Sequence, residues 1–115
     1  MENEKLITLT KQLMVLTNQM VAQFEQTKET GSPGDFYQEV MPFSNKVQDI
    51  LNEWWSEVSP WLKENKRINL NQVLNTKEQL EKAAIQAFYP QTSRKNFMNM
   101  IKAIVFVLNS IIQEK

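Results

Sequence analysis

Cysteine and histidine are both absent from this chain of 115 residues. Without thiols there is no disulfide framework, no thiolate nucleophile and no cysteine-ligated zinc. Without imidazole the commonest general acid–base group and the commonest metal ligand are missing. An excess of either charge is lacking too. The 13 acidic residues balance the 13 basic ones, so no net field draws the chain to nucleic acid or to an anionic membrane. No uninterrupted apolar run approaches the roughly 20 residues of a membrane span; the longest is AIVFVL, Ala103 to Leu108. The N-terminus, MENEKLITLT, is acidic and polar, where a signal peptide opens basic and apolar. The expectation is a cytoplasmic protein with no cofactor. No catalytic, metal-binding or nucleotide-binding motif is present.

What the chain does contain is helical periodicity. Between Phe36 and Leu62, the residues Val40, Phe43, Val47, Ile50, Leu51, Trp54, Val58, Trp61 and Leu62 recur mainly at steps of three and four. At about 100° per residue they cover an arc of roughly 140°, broad enough to touch two or three neighbouring helices. All three tryptophans lie in this stretch. Asp35 reads as its N-cap, with Gln38 at the reciprocal capping-box position. Pro42 and Pro60 each lack an N–H and crowd the carbonyl four residues back. A kink or break is expected near both, with a second reading of Ser59 as a new cap and Pro60 at the first helical position.

Three further helices flank this one. The first is expected from about Glu2 to about Glu29, with Leu6, Leu9, Leu13, Leu16, Met20 and Phe24 in a near-heptad seam. Ile7, Met14 and Val21 form a second edge, and Glu2 and Glu4 suit the positive end of the helix dipole. The chain's two glycines, Gly31 and Gly34, bracket Pro33 in a loop. A polar, basic connection, Lys63 to Asn69, precedes the third helix. That helix is expected from about Leu70 to Phe88, capped by Asn69 with Gln72 reciprocating and Ile68 and Val73 as a hydrophobic staple. A competing start at Thr76 would leave 70–75 as a separate turn. The inner face is Val73, Leu80, Ala84, Ala87 and Phe88, and Pro90 ends the helix. Ser93 caps the fourth, Arg94 to about Gln113. Its inner face is Phe97, Met100, Ile101, Ile104, Val107, Leu108, Ile111 and Ile112. The short connections favour sequential antiparallel neighbours. The expected fold is therefore all-α: a single domain over 1–115, an up-and-down four-helix bundle with a left-handed twist.

Several segments carry a resemblance. FYQEVMP at Phe36 to Pro42, the tryptophan-bearing continuation to Trp61, RINLNQVLNTKEQL at Arg67 to Leu80, and AFYP before the last helix resemble the YppE-like family, small helical proteins of bacilli and their relatives. The resemblance spans nearly the whole chain. It implies a four-helix bundle in a cytoplasmic setting, and it brings no activity and no functional residues with it.

A few surface features call for chemistry to be weighed against packing. Asp49, Glu53 and Glu57 recur every four residues along one flank of the second helix. Carboxylate metal sites in bundles draw ligands from several helices and include histidine, so a solvated or loosely paired flank is the better reading. Lys63, Lys66 and Arg67 form one small basic cluster and Arg94 and Lys95 another; the first lies near Glu2, Glu4 and Glu114, which mutes it. Lys77 stands near the inner face of the third helix with Glu81 one turn on. A boundary lysine reaching for water explains it better than a buried nucleophile. Trp54 and Trp61 lie inside the arc and belong to the core, whereas Trp55 lies at its edge with Tyr37. Phe106 projects opposite Ile104, and Val15 lies on the outer side of the first helix. Phe106, Val15, Trp55 and Tyr37 are therefore the candidate partner surface.

These residues point first to a non-enzymatic interaction or regulatory protein acting through a helix face. The expected partner is another protein, the expected state a monomer or weak homodimer, and neither nucleic acid nor membrane is expected. A small-ligand binder with a pocket near Trp55 is the alternative, and an enzyme using carboxylates a more distant one. The helical phase makes a direct prediction. Trp54→Ala removes a buried aromatic and should destabilise by roughly 3–5 kcal/mol, while Trp55→Ala should cost less. Denaturant melts of both variants check it; a costlier loss at Trp55 would show the phase to be wrong.

Overall fold

The computed structural model describes residues 3–65 and 67–113. Four α-helices account for most of them: α1 Glu4–Thr30, α2 Met41–Trp61, α3 Leu70–Gln86 and α4 Arg94–Gln113. Among the described residues there is no strand. α1 packs against α2 and α4, and α3 packs against the same two, with α1 and α3 meeting across the diagonal. The result is a rod of 45 × 26 × 19 Å.

Named contacts establish the alternating directions. Lys5 of α1 pairs with Glu57 of α2 at 3.7 Å, and further along α1 Thr10 meets Trp54, earlier in α2, at 2.9 Å. At the other end of the rod the last turns of α1 meet the start of α4. There Phe24 and Phe97 stack with centroids 4.2 Å apart and planes 8° from parallel. Buried apolar side chains of all four helices join in one cluster.

Each helix boundary has a local cause. α1 ends because Gly31 takes up a left-handed conformation, φ 71°, and donates its N–H to the Thr27 carbonyl, a geometry glycine reaches without steric cost. Gly34 serves a different need. A Cβ there would lie 2.6 Å from Phe88 Cδ1, and its N–H donates to the Phe88 carbonyl at 2.9 Å, so only a bare backbone fits. α3 opens with the complete capping box expected of Asn69 and Gln72. The flanking staple residues Ile68 and Val73 are both buried. Thr76 is therefore an interior residue, its hydroxyl donating to the Gln72 carbonyl. α3 stops at Gln86, two residues short of the expectation, as Phe88 and Tyr89 enter the turns that precede Pro90. α4 begins after Ser93, whose hydroxyl accepts the Asn96 N–H at 3.2 Å.

The second helix shows how proline is accommodated. The Asp35 carboxylate accepts the Gln38 N–H at 2.8 Å. The chain then makes a π-turn over Phe36–Val40 before α2 begins. The Val40 N–H reaches back five residues to the Asp35 carbonyl at 3.0 Å, and the Met41 N–H likewise to Phe36. The wider turn draws the backbone clear of the Pro42 ring, which sits in the first turn of α2 where its missing N–H has no consequence. Of the kink or break expected at Pro60, no break occurs. Helix geometry continues through it to Trp61, and Ser59 is not a cap but donates its hydroxyl back to the Trp55 carbonyl at 2.8 Å. The helix ends one residue later, so only one ladder bond is lost, and it is lost beside the exposed Ser56.

Core assignments follow the seams read from sequence, with small shifts at the edges. Leu6, Leu9, Leu13, Leu16, Met20 and Phe24 are buried on α1. So are Val40, Val47, Leu51, Trp54, Val58 and Trp61 on the π-turn and α2. Phe43, Ile50 and Leu62 flank them half-buried, as do Met100 and Ile112 on α4. Averaged over its length, α4 is apolar enough to cross a membrane, which a count of uninterrupted apolar residues does not reveal. Here Phe97, Ile101, Ile104, Leu108 and Ile111 turn that apolarity into the core. The start of α1 expected at Glu2 lies outside the described residues.

Buried polar atoms are matched. Among the described residues no buried side-chain nitrogen or oxygen lacks a hydrogen bond. The Trp54 indole N–H donates to Thr10 Oγ1, which in turn donates to the Leu6 carbonyl at 2.7 Å. Thr10→Val keeps the shape but leaves the indole N–H buried without an acceptor. It should cost about 1–3 kcal/mol with little change in m-value. A urea melt of Thr10→Val beside Thr10→Ser checks this, since serine retains the acceptor.

Candidate functional site

The carboxylate flank of α2 does not converge. Asp49 and Glu53 are exposed, and Glu57 is tied to Lys5. Among the described residues no group of three acidic side chains is close enough to hold a metal ion. Lys77 lies half-buried and donates to Glu81 at 2.9 Å, the boundary role that its spacing suggested. Arg94 pairs with Glu25; the hydrogen bond and then the charge of Glu25 raise its already high pKa, so this cation does not titrate in ordinary buffers. Lys28 is drawn to the Pro90 carbonyl at 2.8 Å. Of the other basic cluster, Lys66 lies outside the described residues, as do Glu2 and Glu114, which were expected to mute it.

The four residues expected to form a partner surface are not gathered together. Phe106 is 66% exposed on the outer side of α4, surrounded along its own helix by the exposed Lys102, Ala103 and Asn109. Val15, 55% exposed, borders a shallow groove between α1 and α2 with Lys46 and Ile50. Tyr37, 75% exposed, stands on the π-turn edge-to-face with Phe36, centroids 5.1 Å apart. Trp55 lies toward the opposite end of α2, half-buried. It borders a cleft of about 520 Å³ whose apolar walls include Leu62, Ile68 and Leu70, with Ser59, Lys63 and Asn69 among the polar groups at its rim.

Trp55 has apolar neighbours on a second helix as well as its own, and those on α3 lie outside the surface expected from the sequence. Leu70, Leu74 and Ile85 are exposed by 52%, 38% and 42%. Leu70 and Leu74 are one turn apart, and Ile85 follows about three turns later, so all three share one side of α3. Leu70 closes the cleft against α2, which places this row along the seam between α2 and α3. The facing flank of α2 carries Ser44, Gln48, Asn52, Ser56 and Ser59 and no charge. Glu57 lies on its other flank, toward α1, and Asp49 and Glu53 are exposed. Low charge combined with apolar and aromatic side chains is the composition of a contact surface. The spacing of Leu70, Leu74 and Ile85 was visible in the sequence. Periodicity alone does not set it apart, because the row lies beside the inner face of Val73, Leu80 and Ala84.

Comparison with known proteins adds family and fold. A family model described as a bacterial domain of unknown function, DUF1798, matches residues 10–114. No curated protein matches the chain. Among solved structures, a DUF1798 family domain from Staphylococcus aureus is similar, with 26% identity and a TM-score of 0.89 over 94% of this chain and 93% of that one. A protein of unknown function from Listeria innocua shares 18% identity, with a TM-score of 0.91 over 96% and 90% of the two chains. The yppE protein of Bacillus subtilis shares 15%, with a TM-score of 0.90 over 99% and 94%. The resemblance read from FYQEVMP, RINLNQVLNTKEQL and AFYP is thereby borne out, and so is the all-α bundle.

The isolation of Phe106 yields a prediction. Phe106→Lys should change stability by no more than about 0.5 kcal/mol, as for an ordinary surface substitution. Thermal melting together with light-scattering mass checks it. A large drop in stability at constant mass would show that the ring is covered.

Proposed function

From the premise that the chain belongs to the bacterial DUF1798 family of domains of unknown function, we propose that it is a non-enzymatic interaction protein working through the face between α2 and α3. The observation that carries this reading is the apolar row of Leu70, Leu74 and Ile85 beside the Trp55 cleft, bordered by an uncharged flank of α2. Elsewhere the exposed large side chains stand singly or, like Phe36 and Tyr37, as one pair. Single exposed apolar residues are normal on any protein; here Leu70 and Leu74 stand one turn apart beside an apolar cleft, with Ile85 farther along the same side of α3 beyond the Lys77–Glu81 pair. The rigid helices supply a pre-formed surface, which keeps the ordering cost of association low.

The cleft itself favours a second reading, a small apolar ligand held beside Trp55. Its volume of about 520 Å³ falls within the roughly 300–1,000 Å³ of ligand pockets.

The two readings separate in one experiment. Wild-type chain, Leu74→Lys and Phe106→Lys are each immobilised and exposed to bacterial cytoplasm, with melting curves to verify folding. A contact through α2 and α3 predicts a captured protein that Leu74→Lys loses and Phe106→Lys retains. Capture that ignores Leu74→Lys would overturn the assignment to this face. No captured protein, with a tryptophan fluorescence change on adding small-molecule extract that Trp55→Phe abolishes, would favour the ligand.

A further inference from the structure

We propose that the Phe36–Tyr37 pair on the π-turn is a second contact site, independent of the α2–α3 face, and that its occupant is an arginine-bearing segment of another protein.

The turn displays two aromatic rings that the core does not take up. Phe36 is 51% exposed and Tyr37 75%, while Val40 at the end of the turn is buried. The rings meet edge to face, with centroids 5.1 Å apart and planes 87° from one another. Two rings at a right angle leave a corner open between their faces, and each face carries the negative side of the ring's quadrupole. A cation seated in that corner is attracted by both. The backbone beneath is fixed before anything binds, by the N–H groups of Val40 and Met41 reaching back to the Asp35 and Phe36 carbonyls.

Formal charge on the turn has the same sign as the ring faces. From Gly31 to Asn45 the only charged residues are Asp35 and Glu39, and both are exposed. Asp35 accepts the Gln38 N–H on Oδ1, which leaves its second oxygen available. Glu39 is folded back toward the loop, its Oε1 2.9 Å from where a Cβ on Gly34 would lie. Among the described residues neither carboxylate has a basic partner. Lys28 and Arg94, at the same end of the rod, are already engaged by the Pro90 carbonyl and by Glu25. The patch is therefore complementary to positive charge brought from outside.

A guanidinium suits this arrangement better than an ammonium. Its plane stacks on a ring while its fork donates to a carboxylate, and it is the more weakly hydrated of the two. Phe106 supplies the contrast. It is also an exposed ring, but it stands without an aromatic neighbour on its helix and with Lys102 one turn before it, which repels a cation.

The probe is a blocked tetra-arginine peptide, with lysine and citrulline peptides of the same length, titrated into isotope-labelled protein at low salt. Backbone amide shifts locate the binding, and melting curves verify that each variant folds. Expected are saturable shifts centred on Phe36 to Val40 with the arginine peptide, affinity at least about threefold weaker with lysine, and no binding of citrulline. Tyr37→Phe should keep the affinity. Tyr37→Ala and Glu39→Gln should each weaken it about threefold or more, and Glu53→Gln, on the exposed flank of α2, should leave it unchanged. Shifts as large at Asp49, Glu53 and Glu57 as on the turn would overturn the site. So would lysine binding as tightly as arginine, an affinity unmoved by Tyr37→Ala, or no binding at millimolar peptide. Shifts at Phe36 to Val40 on concentrating the protein alone, with the mass rising to that of two chains, would assign the patch to a second copy and overturn the proposed occupant. Loss or retention of capture by Leu74→Lys bears on none of these outcomes, so this site and the α2–α3 face stand or fall separately.

Discussion

The indole N–H of Trp54 is the constraint around which the bundle is arranged. A ring of this size, wholly buried, brings the largest apolar area of any side chain in the core, together with one donor that water cannot reach. Thr10 answers it across the α1–α2 interface. Because the Thr10 proton goes to the carbonyl of Leu6, the hydroxyl oxygen is left oriented as an acceptor. Sliding α2 by one residue along α1 would break this bond and rotate Val47, Leu51 and Val58 away from the leucine seam. The register of the pair thus has a polar lock inside an apolar interface, and an unmet donor in that setting costs more than the bond itself contributes.

The other end of the rod is held by different means. Thr27 Oγ1 lies 2.9 Å from the carbonyl of Ala87 and 2.9 Å from that of Gln23, its one proton shared between them. It ties the last turn of α1 to the end of α3. Phe24 stacks on Phe97, with the Lys28 ammonium and the Arg94 guanidinium each 5.5 Å from the Phe24 centroid, a favourable placement for a cation over a ring. Gly34 lies close against Phe88, drawing the α1–α2 loop onto the same end. These contacts bind the last turn of α1, the end of α3 and the start of α4 into one end of the rod.

The distribution of charge on α2 links that architecture to the proposed role. Of its acidic residues Glu57 faces α1 and finds Lys5, and Asp49 and Glu53 are exposed to solvent, while the flank toward α3 is serine, asparagine and glutamine. Solubility is served by charge anywhere on a surface, so solubility alone gives no reason to confine it to one side. A face that must be desolvated on association does give a reason, since stripping water from an unpaired charge is costly. The same logic accounts for Lys77, the basic residue placed within the row, closing on Glu81.

The sequence by itself determined the helices, their caps and most of their inner faces, because these depend on contacts within a few residues. Periodicity selects the buried stripe, Asn69 and Gln72 close a box within one turn, and Gly31 ends α1 through its own backbone freedom. It also determined that Trp54 is core and that Phe106 faces outward, each a matter of helical phase. Tertiary structure decided what periodicity cannot express. Whether Pro60 breaks α2 depended on how many helical residues follow it, and the π-turn before Pro42 on how far the chain could widen while still burying Val40. The candidate surface was decided there as well. Leu70, Leu74 and Ile85 look like a flank of one helix until α2 is set beside them, and Trp55, Tyr37, Val15 and Phe106, edge or outer positions on their helical wheels, prove to stand in four different places. A wheel reports direction about one axis only; which directions of different helices meet is fixed by the packing of all four.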